Sequence, residues 1–247
     1  PRNQRKYDWK EENWNDLFND VVLASDRKKP HFIGSIVLIT EEAKLEGLDC
    51  LTIIDGQQRM MTITVFLAAI MFHFKKLGLI KEFDKTKDHL KATASNGNSV
   101  QIFDADNHPS LKALINGLFD ISCEDAKTKT VNGFFNDKII SKQKDKCIGD
   151  CFKFYFEKLQ EKQESLTKIR DALVGMIYVK IVAEEEDSYT IFEILNTRGQ
   201  SLEDHDLLKN YIMQHIEPIA NRDEVKKVWD EMDTKLGKSI RVFVRHY

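Results

Sequence analysis

A short apolar strand that runs into a long apolar helix is the feature that most constrains how this chain can fold. It lies in residues 51–74, LTIIDGQQRMMTITVFLAAIMFHF. After Arg59 the apolar residues recur at helical spacing, which predicts a buried amphipathic helix over residues 57–76. Asp55 and Gly56 separate the two halves, so we expect a strand, a tight turn and a helix on which the other elements pack.

Polar side chains are concentrated where this helix begins. They are Asp55, Gln57, Gln58 and Arg59, with Gly56 between the first two. A helix N-terminus presents unpaired backbone N–H groups and a partial positive charge, so an anion, above all a phosphate, is the expected ligand. An ionised Asp55 would repel a phosphate, and Mg²⁺ held between them would remove that conflict, because hard cations prefer carboxylate and phosphate oxygens.

The same residues also have a purely structural interpretation. Asp55 and Gln58 have the spacing of a capping box, in which each side chain satisfies a backbone N–H near the helix start. Gly56 would then only permit the tight turn. Capping leaves Gln57 and Arg59 without a structural role, and spacing alone leaves both interpretations open.

Composition limits the classes of protein to which the chain can belong. Its 247 residues suffice for one large domain or two small ones, and its net charge of −3 gives no global basic excess for nucleic acid. The longest apolar run is too short and mixed to span a bilayer, no secretory signal is present, and the four cysteines lack metal-site spacing. We therefore expect a cytoplasmic protein with reduced thiols. Because the chain begins with Pro1, we expect it to be a fragment.

Periodicity outlines the remaining elements. We expect helices at about 10–24, 109–119, 152–174, 221–236 and 239–247, strands at 31–39, 51–54 and 176–182, a charged loop over 40–50, an irregular segment over 81–107, and short helical pieces with a solvated lysine-rich patch over 120–150.

The N-terminal arm alternates cationic and aromatic residues. Gln4, Arg5, Tyr7 and Trp9 precede the first helix in a stretch without helical periodicity. Aromatic rings can stack on bases and a guanidinium can pair with phosphate, so this arm is a candidate DNA contact. Alternatively, Tyr7 and Trp9 anchor the arm on the core.

A second polar cluster lies within residues 188–211, SYTIFEILNTRGQSLEDHDLLKNY. Gly199 ends a short helix, which leaves Asn196 and Arg198 on a helix–helix loop. There they can read a base and pair with phosphate, or Asn196 is a C-cap residue and Arg198 is solvated. Asp206 and Lys209 share one helix face, which by itself suggests a surface ion pair of little energetic value.

The order of these segments resembles a known family. The arm QRKYDW, the strand FIGSIVLI, the segment TIIDGQQRMMTI and the loop FEILNTRGQSLEDHDLLKN together resemble the DGQQR-motif domain of GmrSD-type, modification-dependent (type IV) restriction enzymes and related phage-defence proteins. The similarity covers residues 1–75 and 176–247. In the family the arm more typically reads I-P-x-Y-Q-R, whereas an asparagine, Asn3, stands at the aromatic position here.

The resemblance implies an α+β fold with a ParB/sulfiredoxin-like small mixed sheet fused to a mainly helical part. We divide the chain accordingly into residues 1–80 with the DGQQR motif, a helical insertion over 81–175, and a strand with helices over 176–247 that packs back on the N-terminal part. Homo-oligomerisation is compatible with these features.

The resemblance also implies binding and hydrolysis of a nucleoside triphosphate at Asp55–Arg59, with GTP, UTP, CTP and ATP not distinguished. Asn196, Arg198, Gly199 and Lys209 would complete or brace the pocket, and Gln4 and Arg5 match the arm's QR. Partners would be DNA, expected to be modified, and an HNH-type nuclease domain.

Nothing in the chain matches that nuclease domain. The seven histidines are scattered along the sequence without the clustering that an HNH metal centre needs. We therefore expect the nuclease C-terminal to Tyr247 or in trans. Three hypotheses follow: a regulatory NTPase domain of a restriction system, a non-catalytic nucleotide-gated sensor of modified DNA, and, least favoured, a nuclease in its own right.

Overall fold

The computed structural model describes residues 7–45, 47–103, 109–130, 134, 146–183, 208, 209, 211, 212, 215, 216, 221–240 and 243. Within them the fold is α+β, as expected. Helices make up most of the described chain, and a small mixed sheet lies beside them.

One helix, α2 (Gln57–Lys76), forms the centre of the structure. No Asp, Glu, Lys or Arg lies between Arg59 and Lys75, and every residue from Thr64 to Lys75 is buried. The helix is thus buried on all sides rather than along one stripe, which is typical of a helix that is apolar all round.

Among the described residues, six helices surround this core: five pack on α2, and the sixth packs mainly on two of those five. Their bounds are α1 (Glu11–Arg27), α3 (Ile80–Lys87), α4 (Pro109–Asp120), α5 (Cys123–Thr128), α6 (Lys146–Gln160) and α7 (Leu166–Val174). Aromatic rings fill the space between α2 and α6, where Phe66 stacks on Tyr155 with ring centroids 4.1 Å apart. One cluster of buried apolar residues includes members from Tyr7 to Leu173 and thus lies on both sides of the expected boundary at residue 80. The three-part division of the chain stays a prediction.

The larger sheet has the order β2-β1-β5. Strand β1 (Phe32–Leu45) pairs antiparallel with β2 (Leu48–Asp55) and parallel with β5 (Ile177–Ala183). The hairpin of β1 and β2 leads through Gly56 directly into α2. Strand β5 thus returns to the N-terminal part of the chain beside β1.

Two expectations for irregular segments were wrong. The charged loop over 40–50 is instead a continuation of the hairpin, with Lys44 opposite Asp49, because backbone pairing does not depend on side-chain polarity. The segment over 81–107 contains α3 and a second hairpin, β3 (Lys91–Thr93) and β4 (Ser99–Gln101). Its turn runs through residues 94–97, where the Gly97 N–H donates to the Ala94 carbonyl oxygen at 2.9 Å, and Gly97 has a φ of 82°, the left-handed position that glycine favours in short hairpin loops.

A single helix was expected over residues 152–174, but the structure has two helices there. Helix α6 ends at Gln160, a 3₁₀ turn spans Gln163–Ser165, and α7 starts at Leu166. The apolar positions keep helical spacing across the break, which is why the sequence reads as one helix. The break allows α6 to pack on α2 while α7 packs on α1.

Toward the C-terminus the structure describes α8 (Arg222–Leu236), which agrees with the helix expected there. Trp229 of this helix packs with Ile240 in a small apolar cluster. The lysine-rich patch, most of the second polar cluster and most of the helix expected over 239–247 lie outside the described residues. Among the described helices, none has the length and apolar character needed to span a membrane.

A buried histidine in α2 makes the stability of this core sensitive to pH. The His73 ring stacks on Phe156 with centroids 4.3 Å apart, and its Nε2 donates to the Phe156 carbonyl oxygen at 2.9 Å. Burial lowers the pKa of His73 below its ordinary value. The unfolded chain therefore binds a proton below about pH 6.5 that the folded protein does not bind.

We expect the free energy of unfolding to fall by up to about 1.4 kcal/mol for each pH unit below pH 6.5 from this residue alone. His73→Phe keeps a stacking ring and removes the titration, so its unfolding free energy should fall less steeply with acid. Urea unfolding between pH 7.5 and 5.5 measures this, with exposed His89→Gln as the control. Equal slopes for the wild type and His73→Phe would contradict the assignment.

Candidate functional site

The turn between β2 and α2 is built on Gly56. This residue is the N-cap of α2 with φ 95° and ψ 5°, a left-handed conformation that favours glycine. A Cβ on Gly56 would lie 3.3 Å from Cγ1 of Ile36, so the turn also packs closely on β1. No side chain caps the helix, and the capping box of Asp55 with Gln58 is therefore wrong.

Asp55 lies at a bulge that ends β2. It pairs with Val37, whereas the next residue of β1, Leu38, pairs with Ile53, so Ile54 is the extra residue. Bulges redirect side chains at strand ends and occur frequently next to binding sites. The Asp55 side chain is half-buried, and its carboxylate makes no ion pair with a described residue.

Gln57 connects the first turn of α2 back to β2. Its Nε2 donates to the carbonyl oxygen of Ile53 at 2.7 Å, and the residue is 9% exposed. One donor of its carboxamide is thus used within the fold, which gives Gln57 a structural role that the sequence pattern did not suggest.

Gln58 connects the same turn to the N-terminal arm. Its Oε1 accepts the backbone N–H of Asp8 at 2.8 Å and that of Trp9 at 3.4 Å. The capping interpretation predicts that the Gln58 side chain bonds to the backbone at the start of its own helix. In the structure it bonds instead to the backbone of Asp8, 50 residues earlier in the chain.

Arg59 extends from α2 across β1. Its Nη1 donates to the carbonyl oxygen of Ser35 at 2.8 Å, and its guanidinium lies over Gly34. An arginine has five N–H donors in a planar fork, and one of those of Arg59 bonds to a described residue, so within the described part of the chain donors remain for an anion. The guanidinium is half-buried and held at the same helix end that presents backbone N–H groups.

Tyr7 anchors the arm in the core and does not present its ring to solvent. Its hydroxyl lies 2.7 Å from Oγ1 of Thr62, and Nε1 of Trp14 donates to it at 2.8 Å. Thr62 donates to the Gln58 carbonyl oxygen at 2.8 Å, and the Tyr7 hydroxyl also donates to Sγ of Cys151 at 3.4 Å. Burial raises the pKa of Tyr7 far above its ordinary value, which keeps the hydroxyl protonated as a donor.

The burial of the two aromatic residues of the arm favours the alternative in which they anchor the arm on the core. Tyr7 is 7% exposed and cannot stack on a base in this conformation, while Trp9 is half-buried and packs against the core. These contacts match the alternative in which both residues anchor the arm. Gln4 and Arg5 lie outside the described residues.

Of the second polar cluster, Lys209 is described. Its Nζ forms an ion pair of 3.0 Å with Asp230 of α8, and its side chain is 15% exposed. This ion pair attaches Lys209 to α8. The role of Lys209 in a nucleotide pocket stays a prediction. Asn196, Arg198 and Gly199 lie outside the described residues, as does Asp206.

Sequence reasoning missed three residues that shape the turn. Gly34 and Ser35 support the guanidinium of Arg59 from β1, and Thr62 links the first turn of α2 to Tyr7. The one available signal was Gly34 itself, because an isolated glycine inside a strand pattern often marks a bulge or a close approach. The other contacts join segments that are far apart in sequence.

Asp55 is the carboxylate that the motif offers to a metal at this turn. Within the described residues, no group of three or more His, Cys, Asp or Glu side chains is arranged to hold a metal ion. Mg²⁺ is commonly bound by one or two carboxylates, substrate phosphates and water, so Asp55 fits that donor set.

The fold and this turn define an α+β domain whose central helix presents a polar N-terminus, supported from β1, β2 and the arm. The family model of the GmrSD restriction endonuclease N-terminal domain matches residues 1–213 of the 247. The chain therefore belongs to this family, which assigns it to a restriction system in phage defence and indicates DNA as a partner. No curated protein matches the chain at a significant level.

Replacing the Tyr7 hydroxyl should weaken the attachment of the arm. Tyr7→Phe leaves the N–H of Trp14 without its partner in a buried position, so we expect a loss of about 1–3 kcal/mol of unfolding free energy. Urea unfolding of the variant measures the loss. Tyr178→Phe is the matched control, because Tyr178 is 47% exposed and should change stability by less than about 0.5 kcal/mol. Equal effects of the two changes would show that the Tyr7 hydroxyl contributes nothing specific.

Proposed function

We propose that this domain binds and hydrolyses a nucleoside triphosphate at the turn between β2 and α2, and thereby regulates a DNA-modification-dependent restriction enzyme. The observation that carries the proposal is the guanidinium of Arg59, fixed by the Ser35 carbonyl oxygen at the N-terminus of a buried helix. Phosphate is the ligand that this combination of helix end and guanidinium favours.

The chemistry proposed for Arg59 is charge neutralisation. Phosphoryl transfer builds charge on the phosphate oxygens, and a preorganised cation in a partly desolvated site stabilises that charge. The hydrogen bond to Ser35 limits the orientations that the guanidinium can adopt, so little reorganisation is needed when phosphate binds.

Asp55 is proposed to hold Mg²⁺, which would neutralise the phosphate charge and remove the repulsion between phosphate and carboxylate. The position of Asp55 at the bulge places its carboxylate beside the turn that Gly56 makes. In this proposal Gln57 and Gln58 act mainly by bracing the turn and the arm, because each already makes a hydrogen bond to another segment.

The non-catalytic sensor is the second candidate, and the two glutamine contacts favour it. A hydrolase needs a group that orients the attacking water, and at this turn the carboxamides of Gln57 and Gln58 have the chemistry for that task. The hydrogen bonds of both carboxamides within the fold support a site that binds nucleotide and changes the position of the arm. Modified DNA and an HNH-type nuclease domain would then respond to nucleotide occupancy.

Arg59→Ala should abolish nucleotide turnover and weaken nucleotide binding about ten- to a hundredfold, because a charge-assisted contact to phosphate is lost. The assay is phosphate release by residues 1–247 with ATP, GTP, CTP or UTP and Mg²⁺, with and without modified DNA, beside equilibrium binding of the same nucleotides. Arg27→Ala, at an exposed arginine in the last turn of α1, is the control.

Asp55→Asn should remove the Mg²⁺ dependence of nucleotide binding while retaining part of the metal-free affinity. The neutral amide no longer holds the cation, but it also no longer repels the phosphate. Titrations of nucleotide with and without Mg²⁺ measure this difference. Binding without turnover in the wild type, with and without DNA, would favour the sensor, and absence of binding would overturn both candidates.

A further inference from the structure

Gly34 lies at the point where β1 changes register with β5. Phe32 pairs with Ile177 and Ser35 pairs with Val179, so three steps along β1 face two steps along β5. Gly34 has a φ of 99°, which side chains rarely permit. The strand therefore contains a bulge directly beside the carbonyl oxygen that binds Arg59.

The guanidinium of Arg59 occupies the space where a side chain at position 34 would lie. A Cβ on Gly34 would be 3.3 Å from Nη2, 3.4 Å from Cζ and 3.4 Å from Nη1. All three contacts are with the guanidinium itself, so any side chain at position 34 would press against the charged group. The bulge provides the bare backbone, and the next residue provides the acceptor.

The backbone of β1 and the guanidinium of Arg59 are thus in direct contact, although they belong to two different elements. Arg59 comes from α2, while Gly34 and Ser35 lie near the start of β1, the central strand of the sheet. Ser35 holds one edge of the guanidinium through Nη1, and Gly34 lies beneath its plane. The N–H donors that no described residue uses suit a ligand that carries several oxygens, as a polyphosphate does.

We propose that Gly34 is a positioning residue for the anion site, acting through Arg59 by allowing the guanidinium to lie flat on β1. This inference rests on the proposed nucleotide site. Gly34 does not contact the ligand in this assignment. Its effect on binding exists only while an arginine is present at position 59.

That dependence separates a positioning role from a merely structural one. If Gly34 served only the bulge, a side chain there would destabilise the sheet whether or not Arg59 is present. If Gly34 positions Arg59, the change in nucleotide affinity disappears once the arginine is removed. A double-mutant cycle measures this coupling directly.

The experiment compares residues 1–247 as wild type, Gly34→Ala, Arg59→Ala and the double variant. Affinities are measured for ATP, GTP, CTP and UTP with Mg²⁺ and for inorganic tripolyphosphate, and thermal unfolding is recorded for each protein. Gly97→Ala is the matched control, since Gly97 has a φ of 82° and an added Cβ would meet nothing within 4 Å. It imposes comparable backbone strain without touching the guanidinium.

We expect Gly34→Ala to weaken binding about ten- to a hundredfold in the wild-type background and less than about twofold in the Arg59→Ala background. Gly97→Ala should bind like the wild type. If Gly34→Ala does not fold, Gly34→Asn replaces it, because asparagine tolerates positive φ better while its Cβ meets the same group.

Three results would overturn the inference. Equal losses from the glycine substitution in both backgrounds, or wild-type affinity in Gly34→Ala, would show that Gly34 does not act through Arg59, while the nucleotide site itself would stand. Absence of binding by the wild type would instead overturn the proposed function and this inference together.

Discussion

The all-round burial of α2 is the constraint on which the rest of the structure depends. A helix without a charged residue between Arg59 and Lys75 has to be covered on every side, and α1 and α3 to α7 supply that cover. Gln57, Gln58 and Arg59 thus lie at the helix start, beside the sheet, while the lysines of the helix lie at its opposite end. A polar N-terminus on a rigid, buried helix is a well-supported place for a ligand, because the packing behind it prevents the helix from shifting when an anion binds.

The motif residues at that end each reach a different segment. Gln57 bonds to β2, Gln58 holds the N-terminal arm, and Arg59 crosses to β1. The turn is therefore a junction of four parts of the chain as well as a candidate site. In the proposed function this arrangement would link nucleotide binding to the position of the arm, because the same first turn of α2 supports both. Tyr7 strengthens the link through Thr62 and the carbonyl oxygen of Gln58.

Local sequence signals predicted the elements that have strong periodicity or clear turn chemistry. The strand, turn and helix around Gly56 were correct, as were α1, α4, α8 and β5, since their apolar spacing is regular over their whole length. The failures lie where spacing does not decide: polar residues over 40–50 continue the hairpin, and unbroken helical spacing over 152–174 hides the division between α6 and α7. The Asn-Gly turn at residues 96 and 97 was a readable signal for the second hairpin.

The central helix and the polar turn at its start could be predicted from the sequence, because both depend on residues close together in the chain. The α+β class came with the family resemblance, which combines motifs from separate segments. What the polar side chains do depends on contacts that form in the folded chain. Gln58 accepts a hydrogen bond from the backbone of Asp8 and does not cap its own helix. Tyr7 is buried, and the guanidinium of Arg59 packs against Gly34. Each of these contacts joins segments separated by at least 24 residues, and hydrogen bonds across such distances depend on packing geometry that local spacing does not encode.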